Sequence, residues 1–132
     1  MRIKVSRFGS LLDAQTDACS RVDTVAEQVR LKYLTPGSGQ AMEYEEAYRQ
    51  ALEFVSNPSG HYSMLEADVE AGLCETVEEA ASAVIAMRQK WEQAGQTIRQ
   101  IRLCAKRRIR EATDTATVVR IREQAIAELQ AV

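Results

Sequence analysis

One histidine, three cysteines and a few serines are the side chains of this sequence best suited to act as bases, metal ligands or nucleophiles. His61 stands in Pro58-Ser59-Gly60-His61-Tyr62, and no second ligand lies at a metal-binding spacing from it. A surface or capping histidine is the reading that context supports. Ser63, Cys19, Cys74 and Cys104 lack a recognisable nucleophile setting, and no two cysteines form a CxxC pair. Three isolated thiols read as free, buried residues of a reducing compartment. Gly37-Ser38-Gly39 invites comparison with a phosphate cradle. Such a loop needs GxxxxGK[ST] after a strand, whereas here a helical pattern precedes and no lysine follows, so the stretch reads as a turn. Glu45-Glu46, Glu66-Ala67-Asp68 and Glu78-Glu79 lack the alternating oxygen ligands of a calcium loop. They read as solvated helix faces or a docking strip. No catalytic residue, cofactor or metal is expected, and the chain does not read as an enzyme.

Charge is the stronger signal. The formal net charge is −2, yet residues 40–80 hold ten acids and one base, Arg49, while residues 81–112 hold eight bases and two acids. Opposite surfaces of this kind pair within a monomer or between subunits. The run IRQIRLCAKRRIR, residues 98–110, has no acid, and Arg99, Arg102, Lys106 and Arg110 share one broad helical stripe. That stripe can dock the acidic strips at 43–53 and 66–79. Phosphate binding is the weaker reading, because no aromatic side chain in the run is there to stack on bases. No apolar run approaches the ~20 residues of a membrane span, and residues 1–12 do not read as a signal peptide.

The elements that position these residues follow from apolar spacing. The 132 residues suffice for one domain with a modest core, built from Ala, Val, Ile and Leu because aromatics are scarce. Ile3, Val5 and Phe8 alternate with basic residues, predicting a short extended arm over residues 1–10. Residues 11–132 read as a helical domain, with helices at about 11–34, 41–55, 63–71, 76–112 and 116–131. Leu11, Ala18, Val22, Val25 and Val29 line the first; Tyr44, Ala47, Tyr48, Ala51, Leu52 and Val55 line the second. Thr76-Val77-Glu78-Glu79 is a capping box opening the fourth. Val77, Ala80, Val84, Met87, Trp91, Ala94, Ile98, Ile101 and Ala105 keep a heptad repeat there, broken at Arg108. A helix of that length reaches roughly 50 Å. The fold class is therefore all-α: an elongated helical hairpin or bundle with one long coiled-coil-like helix, which packs on its own chain or on a neighbour. Trp91 is expected in a core or interface, and Tyr33, Tyr44, Tyr48 and Tyr62 are expected to clamp the turns onto the long helix.

The stretch RLKYLTPGSGQAMEYEEAYRQA, residues 30–51, resembles a recurring segment of small tail-region proteins of tailed bacteriophages, a helical family often encoded near tail-fibre genes. The matching residues are Arg30, Lys32, Tyr33, Leu34, Thr35, Gly39, Gln40 and Tyr44. A looser likeness continues through Asn57-Pro58, SMLEADVEAG at 63–72 and TVEEAASAVIAMRQKW at 76–91. Glu45-Glu46 stands where a lysine often follows the tyrosine, and MRIKVSRF has no counterpart. The resemblance brings no catalytic residues with it. It implies a tail- or baseplate-associated structural protein linking or supporting tail fibres, made in the host cytoplasm and carried in the virion. An assembly chaperone absent from the particle is the alternative, and a regulator binding nucleic acid or a host factor through 98–110 the third. Partners would be tail or tail-fibre proteins in a homo- or hetero-oligomer. The interface residues expected are Val84, Met87, Trp91, Ile98 and Ile101 on the heptad positions, Arg99, Arg102, Lys106 and Arg110 on the basic stripe, Glu43 and Glu46 on the acidic strip, and Tyr33 and Tyr44 at the corner between the first two helices.

Overall fold

The computed structural model describes residues 9–34 and 37–132. The arm expected at residues 1–10 falls, for its first eight residues, outside the described residues, as do Thr35 and Pro36 of the expected corner. Five helices, and no strand among the described residues, make the chain all-α: α1 (Leu11–Arg30), α2 (Ser38–Ser56), α3 (Ser63–Glu70), α4 (Val77–Glu111) and α5 (Thr115–Gln130). The chain divides into two compact units, unit 1 (Met1–Lys32 and Ala94–Val132) and unit 2 (Tyr33–Gln93).

Local chemistry sets the helix ends. Ser10 opens α1 by accepting the Asp13 amide at 3.1 Å, and Asp114 opens α5 by accepting the Thr117 amide at 2.8 Å and its hydroxyl at 2.9 Å. These bonds hold the Asp114 carboxyl below its usual range. Thr76 accepts the Glu79 amide at 3.1 Å, while the Glu79 carboxylate reaches back to the amide of Glu75, one residue before the usual capping-box partner. α3 ends in a Schellman motif: Leu73 donates to the carbonyl of Asp68 and Gly72 to that of Val69, with Gly72 at φ 77°, a conformation that L side chains resist. α1 closes at Arg30, short of the expected Leu34: Leu31 still donates to Glu27 in the helical pattern, but Lys32 switches to a tighter turn bond to Val29, each at 3.1 Å.

Unit 1 is built on the apolar stripe of α1. Ala14, Ala18, Val22, Val25, Ala26 and Val29 are buried with Val118, Ile121, Ala125 and Leu129 of α5 and with Ile98, Ala105 and Ile109 of α4. Small residues let α1 lie close along α5. On α4 the buried set passes through Ile109, so Arg108 is left in solvent at the point where the heptad breaks. The core closes polar as well as apolar ends. Nε2 of Gln15 lies 3.1 Å from the carbonyls of Ile109, Arg110 and Ala112 at the turn that ends α4, where the Ile109 carbonyl also accepts the Ala112 amide.

Unit 2 has a smaller centre: Ala51, Tyr62, Leu65, Ala80 and Ala81, with Phe54, Val77, Val84 and Ile85 partly buried around it. The face that α2 buries differs from the one its apolar residues suggest. Ala47, Gln50, Ala51 and Phe54 turn inward, while Tyr44, Leu52 and Val55 are exposed. Gln50 accounts for this rotation. Its Oε1 accepts the Met64 amide at 2.8 Å and its Nε2 donates to Ser63 Oγ at 3.3 Å, so a side chain of α2 caps the first turn of α3. Phe54 meets Tyr62 edge-on at 5.8 Å, and the Tyr62 hydroxyl donates to the carbonyl of Asn57. A Cβ at Gly60 would come within 2.7 Å of that hydroxyl, so any larger residue there would have to displace the Tyr62 ring.

Candidate protein-interaction surfaces

The side chains with chemical potential are dispersed. His61 is exposed, its Nδ1 3.0 Å from Glu66 Oε1 on the surface of unit 2. Ser63 is occupied by Gln50. Cys19 and Cys74 are half-buried and Cys104 is exposed, all free, so the expectation of three buried thiols fails at Cys104. Burial pushes the Cys19 thiol up, against the pull of Arg110 and Lys106, which makes it a poor nucleophile. No cluster of three metal-ligating side chains occurs among the described residues. An open groove in unit 2 is lined by Leu52, Glu53, Ser56, Asn57 and Tyr62, without converging titratable groups. Among the described residues no helix is long and apolar enough to cross a membrane.

The basic stripe on α4 splits in two when its partners are located. Arg102 and Lys106 are four-fifths or more covered and bind one carboxylate, Asp23 of α1, at 3.0 and 2.8 Å. Burial alone would raise the Asp23 carboxyl; hydrogen bonds from Lys106 and Arg102 outweigh it and hold the group below its usual range. These two cations therefore fasten α4 to α1 rather than facing a partner. The acids expected to face them lie in the strips at 43–53 and 66–79, and the isolated Asp23 carries no sequence signal of this role. Arg99, Arg107, Arg108 and Arg110 are exposed, with no ion-pair partner among the described residues. Arg99, Arg107 and Arg110 share a face with Leu103, which is 42% exposed.

The acidic strip also divides. Glu46 is drawn down to about 2 by hydrogen bonds from Arg49 and then from Gln50, and Arg49 also pairs with Glu53. Glu45 and Glu92 hold Arg88, whose guanidinium lies 4.6 Å from the centre of the Tyr48 ring. Glu43 is exposed and has no ion-pair partner among the described residues. Of the expected heptad residues, Ile98 is fully buried in the core of unit 1 and presents nothing outward, and Ile101 is half-buried beside it. Val84 is half-buried at the centre of unit 2, while Met87 is 59% exposed. Trp91 is half-buried with its ring 6.5 Å from that of Tyr33, tilted by 45°. Tyr44 is exposed.

Exposed large apolar side chains concentrate on unit 2: Leu34, Met42, Tyr44, Leu52, Val55, Leu73 and Met87. Single exposed apolar residues are ordinary, but Met42, Leu52 and Val55 lie on one helix that already buries another face. Comparison with protein-family models, curated proteins and solved structures returned no match to the chain.

Proposed function

We propose that this chain is a non-enzymatic structural protein of a bacteriophage tail or baseplate, linking or supporting tail fibres. The observation that carries the reading is the set of outward apolar side chains on α2, Met42 at 73%, Val55 at 66% and Leu52 at 46% exposure, interleaved with exposed Glu45, Arg49 and Ser56 on a helix already anchored by its other side. Such a surface fits a partner protein better than a small ligand. The resemblance of residues 30–51 to phage tail-region proteins supplies the kind of particle. In this reading the exposed heptad residue Met87 and the half-buried Trp91 take part in a coiled-coil-like seam on α4 with a neighbouring chain. Synthesis takes place in host cytoplasm and the mature protein travels with the tail.

Mass spectrometry of purified virions tests this directly. The protein is expected at a fixed copy number in tails, and its absence from particles rejects a structural role. The small centre of unit 2, exposing more large apolar side chains than it buries, favours one second reading, a tail or fibre assembly chaperone that leaves before maturation. Co-expression separates the two. A chaperone raises the soluble yield of a fibre protein and is missing from particles.

A further inference from the structure

We propose that copies of this chain associate head to tail, the exposed face of α2 in one copy docking on the arginine face of α4 in the next. Residues 33–93 carry eleven acids and three bases, a formal −8, whereas the described residues 9–32 and 94–132 carry eleven bases and eight acids, a formal +3. Ion pairs formed inside a unit cancel one for one, so internal pairing leaves both surpluses on the surface.

The two faces are matched in kind as well as in sign. On α4, Arg99 and Arg107 sit one turn either side of exposed Leu103, with Arg110 a turn further. On α2, exposed Met42 shares a side of the helix with Glu46 and Glu53, two acids to the one Arg49 they pair with, and is followed by exposed Glu43, which has no ion-pair partner among the described residues. Each face thus sets apolar side chains beside charges, the usual arrangement of an interface centre with a polar rim. Guanidinium groups without an internal partner suit carboxylates, to which they donate bidentate hydrogen bonds. Opposite potentials steer the two faces together, and screening by salt opposes this. A second copy supplies both complementary faces, which is the ground for choosing it over an unrelated protein. Because the two faces differ, each docked pair keeps one free face of each kind, so association continues into rings or filaments. The proposal rests on these two faces alone and is independent of the tail assignment.

The test is the mass of the full chain by light scattering and sedimentation, across concentration, at low and high salt. At low salt the mass is expected to climb with concentration well beyond 14.7 kDa, and at high salt to fall back toward it. Two charge-reversed variants sharpen this: Arg99→Glu/Arg107→Glu/Arg110→Glu, and Glu43→Arg/Glu53→Arg. Each alone should remain monomeric with unchanged helical circular dichroism, and an equimolar mixture should recover association. A monomeric wild-type chain at low salt overturns the proposal, including one that binds nucleic acid instead. So does a mixture that stays monomeric, or a variant that assembles like the wild type. A second route does not depend on charge reversal. Under a mild oxidant, the Met42→Cys variant should form a disulfide between position 42 of one copy and Cys104 of the next, read by peptide mass spectrometry. Links joining only 42 to 42 or 104 to 104 contradict a head-to-tail arrangement.

Discussion

Unit 1 and unit 2 solve the same problem with different materials. Unit 1 buries thirteen apolar side chains from three helices, including Ile98, Ile109 and Leu129 at no measurable exposure. Unit 2 buries five, three of them alanines. Alanine brings helices close but removes little apolar area from water, so stability in unit 2 leans more on Leu65, on the Phe54–Tyr62 pair and on polar fastening by Gln50. The two fasteners differ as well. Unit 1 is pinned by an ionic trio, Asp23 with Arg102 and Lys106, whereas unit 2 is pinned by a neutral amide that caps a helix. A large apolar core tolerates the loss of one contact. A small one with a single capping glutamine does not.

Core truncation breaks the comparison most severely. Ile109→Ala and Leu65→Ala each remove a fully buried branched side chain and are expected to cost about 2–5 kcal/mol. The prediction is that Leu65→Ala abolishes protection of unit 2 amides in hydrogen exchange, while Ile109→Ala lowers protection in unit 1 without removing it. Equal loss in both units would show that core size does not set their local stability. Gln50→Ala comes next, at about 1–3 kcal/mol, because the Met64 amide loses its acceptor. Its exchange signature should centre on the first turn of α3. Asp23→Asn is smaller, roughly 1–2 kcal/mol in denaturant melts, since the carboxylate is partly solvated and only its ionic hold on two covered cations is lost.

The smallest expected effect is one of pH, and it sharpens the contrast between fasteners. Asp23 is depressed in the folded chain, so its contribution is present above the unfolded carboxyl range, near pH 4, and is lost as pH falls through the folded value. Asp114 behaves alike through its cap on α5, also in unit 1. Gln50 does not titrate. Exchange protection around the Asp23 and Asp114 bonds should therefore weaken on acidification before the α2–α3 joint does, and the reverse order would remove the ionic account of unit 1.

Much of the helical layout was legible because its signals are local. The apolar stripes of α1 and α5, the cap at Thr76 and the stop at Gly72 each depend on residues within a turn or two. What escaped the sequence depends on distant partners. Asp23 lies some eighty residues from Arg102 and Lys106, and an isolated acid on a helix carries no mark of its mate. Apolar spacing alone cannot include the polar Gln50, so it sets the buried face of α2 one step round, over Tyr44, Leu52 and Val55. The basic run was legible as a run, but its division into structural and exposed arginines requires knowing which side of α4 meets α1. Of the expected interface residues, Arg99, Arg110, Glu43, Met87 and Tyr44 stand outward, while Ile98, Arg102 and Lys106 are committed to the fold.

The amide of Gln15 gives the chain a way to age. Three carbonyls at the end of α4 crowd around a nitrogen with only two hydrogens to give. Hydrolysis of that single amide to a carboxylate, the slow conversion that glutamine undergoes in old protein, would exchange both donors for acceptors and set a negative charge against three oxygens. One spontaneous deamidation, adding less than a dalton, would turn the seal on the C-terminus of α4 into a wedge.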